Sequence, residues 1–308
     1  MKKLTVTNNW KVMLAFAAVY IIWGSTYLVI LVALKNIPPF LMSGLRFLFA
    51  GLLLLAVCIQ KREPWPAAPS LKINTLCGIL MLFGGTVSVT WGEQYLPSSL
   101  AAIIVTSLPF WFIVLDKKQW SFYFSNKLII VGLLIGFAGV AVLVGFDTPG
   151  HPSADADRSK QVLAILGIIA GGIAWSGGSL LSKYKPTGNS VLMNAAIQLL
   201  IAGIFTLLVS GIVGEWNAFS FEQVHISSWM AVAYLVTFGS LITYLSYLWL
   251  LKVRPAAQVS TYVYINPVVA VVLGALFMNE HITWVQVLSL AIILGGVLIV
   301  NRVRFKAA

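Results

Sequence analysis

Arg46-Phe47-Leu48-Phe49-Ala50-Gly51 and Gln198-Leu199-Leu200-Ile201-Ala202-Gly203 are two copies of one stretch, and their alignment decides how the rest of the chain is read. In the same register, without a gap, Trp23 falls over Trp175. Further on, Pro109 matches Pro267 and Gly139 matches Gly296, with one extra residue in the first half between them. Residues 12–145 and 161–301 are therefore two versions of one five-segment unit. An odd number of membrane spans per unit forces the second to run upside down relative to the first. Inverted repeats place a central site at the seam between halves and supply two related packings of one architecture. The fold expected is an all-α membrane protein of ten helices in two inverted repeats.

Composition agrees. Of 308 residues, 59% are hydrophobic and only 9% charged, and the mean hydropathy is +0.93. Soluble domains carry about 25% charged residues, so a water-soluble globule is excluded. The net charge of +11 does not form a nucleic-acid patch, because its basic residues sit in short clusters between apolar runs. Cys58 and Cys77 lie within apolar stretches and read as buried packing residues rather than a disulfide. The first apolar run is long enough to span and has no small-residue cleavage site after it.

A hydrocarbon core of about 30 Å takes about 20 apolar residues in helix. Ten runs meet that length within a few residues: 12–34, 40–59, 73–93, 98–115, 128–145, 161–182, 191–212, 227–250, 256–278 and 283–301. Leu96-Pro97-Ser98 makes a tight turn between the third and fourth, since proline breaks the helical ladder and disfavours helix before it. One side of the spans receives Lys2, Lys3, Lys11, Lys61, Arg62, Lys72, Lys117, Lys118 and Lys127. To the same side fall Lys183, Lys185, Lys252, Arg254, Arg302, Arg304 and Lys306, against only Lys35, Arg158 and Lys160 opposite. The positive-inside bias then puts both termini in the cytoplasm, for a multi-pass protein of the plasma membrane, the inner membrane if bacterial. Segment 146–160, with Pro149, Gly150 and Pro152, reads as the external linker between the repeats.

Several stretches carry a resemblance. They are Trp23-Gly24-Ser25, Arg46-Phe47, Glu93-Gln94-Tyr95-Leu96-Pro97-Ser98-Ser99-Leu100-Ala101-Ala102, Ala257-Gln258-Val259-Ser260, Asn266-Pro267-Val268, Asn279-Glu280-His281-Ile282-Thr283 and Gly295-Gly296-Val297. Their order and spacing resemble the EamA-type repeats of the drug/metabolite transporter superfamily, over nearly the whole chain. The resemblance implies a ten-helix secondary carrier exporting small organic solutes such as amino acids, related metabolites or drugs. The first half departs from it at Leu115-Asp116-Lys117-Lys118, which lacks the turn seen at Asn279-Glu280.

Three groups of residues could carry transport. Pro109 and Pro267, at matched positions, each remove a helical donor and are expected to kink their helices; paired interruptions are a sequence pointer to a substrate site. Arg46 lies about 10 Å below the outer surface at 1.5 Å per residue. A charge there costs about 2.5–3.5 kcal/mol on insertion scales, so it must face protein or water. Glu93 ends the third span, and the two could meet as an ion pair, either a structural tie or a gate that anchors a substrate carboxylate. The third group surrounds the symmetry-related tryptophans: Trp23 with Ser25 and Thr26, Trp175 with Ser176 and Ser179, together with Tyr262 and Asn266. Aromatic faces with a few polar groups suit amphipathic organic solutes. Trp10, Trp65, Trp120, Trp229 and Trp284, near segment ends, read as interfacial belt residues. Gly132, Gly136 and Gly139, with Gly167 and Gly171, have the small-residue spacing of close helix contacts.

His151, His225 and His281 are scattered without partners at metal spacing, so no metal or cofactor is expected. No phosphate-binding glycine loop supports an ATP-driven pump, and an enzyme would need titratable pairs within the spans. The partners expected are a small-molecule substrate and the lipid bilayer, with the protein a monomer or homodimer and no nucleic acid involved. A solute channel or facilitator without ion coupling is the alternative, though no continuous polar stripe or filter loop is present.

Overall fold

A computed structural model of the chain describes residues 9–96, 101, 104–146, 158–277 and 283–302. The turn at Pro97, most of the linker and the Asn279-Glu280-His281 motif lie outside these residues. Every described element is helical. Leaving aside pieces of six residues or fewer, the helices in chain order are α1 (Asn9–Leu34), α2 (Pro39–Gln60), α3 (Ala68–Gly92) and α4 (Leu108–Leu115), then α5 (Lys127–Phe146), α6 (Arg158–Tyr184) and α7 (Val191–Ile212). They continue with α8 (Ile226–Val253), α9 (Tyr262–Phe277) and α10 (Trp284–Arg302). Six of them, α1–α3 and α6–α8, are long and apolar enough to cross a membrane, and α5 makes a seventh if the helical piece before it, bent by 92°, is counted with it.

The helices are apolar on every side, as a lipid environment requires. In α2, Phe47, Ala50 and Leu54 are buried while Phe49, Leu52 and Leu53 are about half exposed. Local sequence sets the ends. Pro39 opens α2, where its missing N–H is of no consequence. Glu215 supplies the acceptors there, taking bonds from the Phe40 and Leu41 nitrogens at 3.2 and 2.7 Å; a carboxylate also complements the positive end of the helix dipole. Ser190 caps α7 by accepting from the Met193 nitrogen.

Glycines bring matched helices together. Along α2 and α7, a Cβ on Gly44 would meet Leu207, one on Gly51 the Leu200 nitrogen at 2.6 Å, and one on Gly203 the Leu48 nitrogen at 2.5 Å. Residue numbers rise on one helix as they fall on the other, so the pair is antiparallel. Helices α5 and α10 pack the same way: Gly139 lies against Ile293, Gly136 against Gly296, and Gly132 against Val300. Gly171 lies against Gly84 and Ser88 in α3. Gly167 has only Trp91 near, at 3.9 Å, so this glycine is not a close-contact position.

Two faces of the bundle follow. The Glu215 face holds the α1–α2 connection, the end of α3 and the start of α6. The Glu63 face holds residues 61–67 and 185–190, joined where Ser190 donates to Glu63 and Asn189 to Ser70. Three helices carry π-helical segments: Ala18–Ile22 in α1, Ile79–Val87 in α3 and Leu235–Ile242 in α8. Such segments are frequent at functional sites.

Pro109 is a correction to the expected kink. It stands in the first turn of α4, after a break at Thr106–Ser107, and so begins a helix instead of bending one. Pro267 does lie inside α9. The physical difference is that a first-turn proline loses no intrahelical bond.

Candidate functional site

Leu82, Gly85, Thr86, Val89 and Thr90 of α3 form one wall of a cavity of about 130 Å³, partly open to solvent. Across it stand Ile168, Gly171 and Trp175 of α6; Trp23, Thr26 and Tyr27 of α1 form a third side. Arg46 and Phe47 of α2, Gly239, Ser240 and Tyr244 of α8, and Tyr262 and Asn266 of α9 complete it, with Glu93 just past the end of α3. The lining comes from the second half of α1 and α3 and the first half of α2 and α6, so the cavity occupies the part of the bundle nearer the Glu215 face.

An aromatic cluster forms the floor. Trp23 meets Trp175 edge-on with ring centroids 5.6 Å apart, and lies 4.8 Å from Tyr262 and 5.2 Å from Tyr247. Trp23 donates to the Gly239 carbonyl at 3.0 Å, and Trp175 to the Tyr247 hydroxyl at 2.9 Å. That hydroxyl also bonds Ser179 at 2.7 Å. These bonds satisfy the polar edges that buried aromatics would otherwise leave unpaired.

Beyond the floor the Glu63 face is tied shut. Tyr244 donates to Gln198, Gln198 to Asn74 and Asn74 to Asn194, whose oxygen also accepts from Thr187. Asp116, only 1% exposed, accepts from Tyr123 and Tyr184 at 2.8 Å each. Lys183 donates to the Leu251 and Arg254 carbonyls at 2.6 Å. Each set links residues distant in sequence.

The expected residues divide clearly. Trp23, Thr26, Trp175, Tyr262, Asn266, Arg46 and Glu93 all reach the cavity. Ser25 does not: it bonds Tyr234 and the Ile22 carbonyl. Ser176 is buried away from the lining with its hydroxyl unpaired, and Ser179 belongs to the seal under the floor. The possible ion pair is not formed among the described residues. Arg46 donates its Nε to Ser240 at 2.8 Å, and Glu93 lines the cavity without a bond to it. The reason is depth: Glu93 stands just past the end of α3, whereas Arg46 lies two turns inside α2. Tyr27, Ser240, Gly239, Gly85 and Tyr247 were not singled out from sequence. Small residues in mid-span, Gly84-Gly85-Thr86 and Gly239-Ser240, were the available signal.

The model of the EamA-like transporter family matches residues 9–145 and 162–302. An uncharacterized inner membrane transporter of Escherichia coli K12, YedA, is 36% identical over 295 residues, covering 94% of this chain and 90% of that protein. An uncharacterized transporter of Bacillus subtilis, YvbV, is 27% identical over 98% of this chain and 94% of its own length. One crystal structure, at 20% identity, superposes with a TM-score of 0.74 over 94% of this chain and 97% of its own, a likeness of fold.

Proposed function

This chain belongs to the EamA-like transporter family, and from that premise we propose that it is a secondary-active carrier exporting small organic solutes by alternating access. It is a multi-pass membrane transporter and not an enzyme. Our finer reading is ten spans in two inverted repeats, 12–145 and 161–301, with α4, α5, α9 and α10 completing the two sets of five. Exchanging the halves in the Trp23–Trp175 register turns the contact of Gly51 with Leu200 into that of Gly203 with Leu48, and both contacts exist. In the Gly139–Gly296 register, Gly139 with Ile293 becomes Gly296 with Gly136, again present. Antiparallel mates that trade contacts in this way support a two-fold axis across the bundle, with Trp23 and Trp175 meeting at its centre.

The observation that carries the carrier reading is a cavity between the halves with a sealed floor. A channel needs a continuous path, and here the aromatic cluster and the bonds beneath it interrupt one. From the basic-residue bias we place both termini in the cytoplasm; the cavity then opens outward and the Glu63 face is the inner one. Export follows if the opposite packing opens the inner side to cytoplasmic solute.

The test is a metabolite survey of the medium around cells overproducing the protein, against a Trp175→Ala control. A solute enriched only with the intact protein, showing saturation and counterflow in sealed vesicles, is the expected result. Ohmic current through the same vesicles, without counterflow, would replace the carrier by a channel.

A further inference from the structure

Helices α2 and α7 exchange carboxylates at their ends. Each is 22 residues long, and they correspond residue for residue in the Trp23–Trp175 register. Both stop in the same way. The Lys61 nitrogen bonds the Val57 carbonyl at 3.0 Å, and its mate, the Val213 nitrogen, bonds that of Val209 at 2.9 Å. The next residues, Arg62 and Gly214, turn left-handed at φ of 52° and 82°. Glycine takes that turn freely. Arg62 is the one non-glycine residue to do so among the described residues, so the first half keeps the turn at a cost in strain.

Each turn delivers a matched glutamate, Glu63 or Glu215, to the start of the other helix. Glu215 takes the Phe40 and Leu41 nitrogens directly, together with the Ser210 hydroxyl at 2.8 Å. Pro38, before α2, has no hydroxyl with which to cap it. At the matched place before α7 stands Ser190, whose hydroxyl accepts from the Met193 nitrogen at 3.0 Å and donates to Glu63. Leu41 and Met193 are mates. The same helical N–H is therefore served on both faces, once by the carboxylate and once through a serine. Such a carboxylate answers open N–H groups and complements the helix dipole.

Symmetry separates what moves from what stays. In an inverted repeat, the second packing is the first with the roles of the halves exchanged. Contacts already equal under that exchange have nothing to change. These are the two clasps, and Gly51 with Leu200 against Gly203 with Leu48. Contacts that differ must change. Trp23 donates to the Gly239 carbonyl but Trp175 to Tyr247, and Arg46 donates to Ser240 but its mate Gln198 to Asn74.

We propose that α2 and α7, clasped at both faces by Glu63 and Glu215, form a fixed frame that keeps its contacts while the cavity wall and the seal exchange exposure. This rests on the carrier reading and adds to it the part of the bundle that stays still.

The test uses the full chain with Cys58 and Cys77 replaced by alanine, carrying one of two cysteine pairs. Glu63→Cys with Ser190→Cys bridges a clasp. Asn74→Cys with Asn194→Cys bridges the seal, where those side chains bond at 2.8 Å. Export is read as solute enrichment in the medium of overproducing cells, before oxidation, after it, and after reduction. With the clasp bridged, export should match that of the reduced protein. With the seal bridged, it should fall about tenfold or more and recover on reduction. Thermal unfolding reads the clasps separately: Glu63→Ala and Glu215→Ala should each lower the midpoint, and Glu215→Gln, which keeps an acceptor, should lower it less. Export stopped by the clasp bridge and restored by reduction would overturn the frame, and so would unchanged midpoints in both alanine variants. Export that survives the seal bridge, or no export by the parent, would remove the carrier reading, while lowered midpoints still uphold the clasps.

Discussion

Tyr247 holds the floor of the cavity through a single hydroxyl, which accepts from Trp175 and bonds Ser179. Tyr247→Phe leaves the buried Trp175 Nε1 without a partner, a loss of about 1–3 kcal/mol. A lower midpoint of thermal unfolding in detergent, with a changed tryptophan emission, is the expected outcome; an unchanged midpoint would mean that the floor does not depend on that bond. Arg46, Trp23 and Trp175 could be found from sequence because a charge or a large polar-edged ring in mid-span is costly unless it faces protein. Their neighbours could not be assigned by adjacency. Successive residues turn by about 100° on a helix, so Ser25 points away from Trp23, while Thr26 and Tyr27, three and four residues on, share its side. Ser179 shares the side of Trp175 but lies one turn nearer the Glu63 face, which puts it under the floor.

Two adjacent glycines in α10 give the packing of matched helices a direct check. A Cβ on Gly296 would lie 2.5 Å from the Gly136 nitrogen and 2.6 Å from the Gly132 carbonyl oxygen, whereas one on Gly295 meets nothing within 4 Å. Gly296→Ala should therefore cost about 1–3 kcal/mol or more through overpacking. Gly295→Ala should be neutral or gain up to about 1 kcal/mol from helix propensity. Thermal unfolding of the two variants separates them, and equal midpoints would contradict the close contact of α5 with α10. The apolar runs made the helices readable, and glycine spacing made their close contacts readable except at Gly167. The role of Pro109 was not readable, because a proline in an apolar run looks the same whether it begins a helix or bends one. The π-helical segments of α3 and α8 left no signature beyond the small residues that they place on the cavity wall, and that of α1 left none.

Across the molecule, the duplicated stretch at Arg46 and Gln198 carried most of the information, since it predicted antiparallel mates and a site between them. The same pair also marks where the halves differ. Arg46 looks into the cavity, while Gln198 is absorbed in the chain of bonds from Tyr244 to Asn194 that shuts the Glu63 face. On the proposed alternating-access mechanism, pairwise partners of this kind depend on which of two packings is populated, so they are not legible in the sequence. Alternating access means that the cavity wall and the seal exchange exposure. The direct measurement is thiol labelling with a membrane-impermeant maleimide in sealed vesicles, with Cys58 and Cys77 replaced by alanine. Thr86→Cys reports the cavity wall and Ser179→Cys the seal beneath it. During export, Thr86→Cys should react from the Glu215 face only and Ser179→Cys from the Glu63 face only, each protected when the other is exposed. Ser179→Cys staying unreactive while solute is exported, or either site reacting from both faces, would contradict the account.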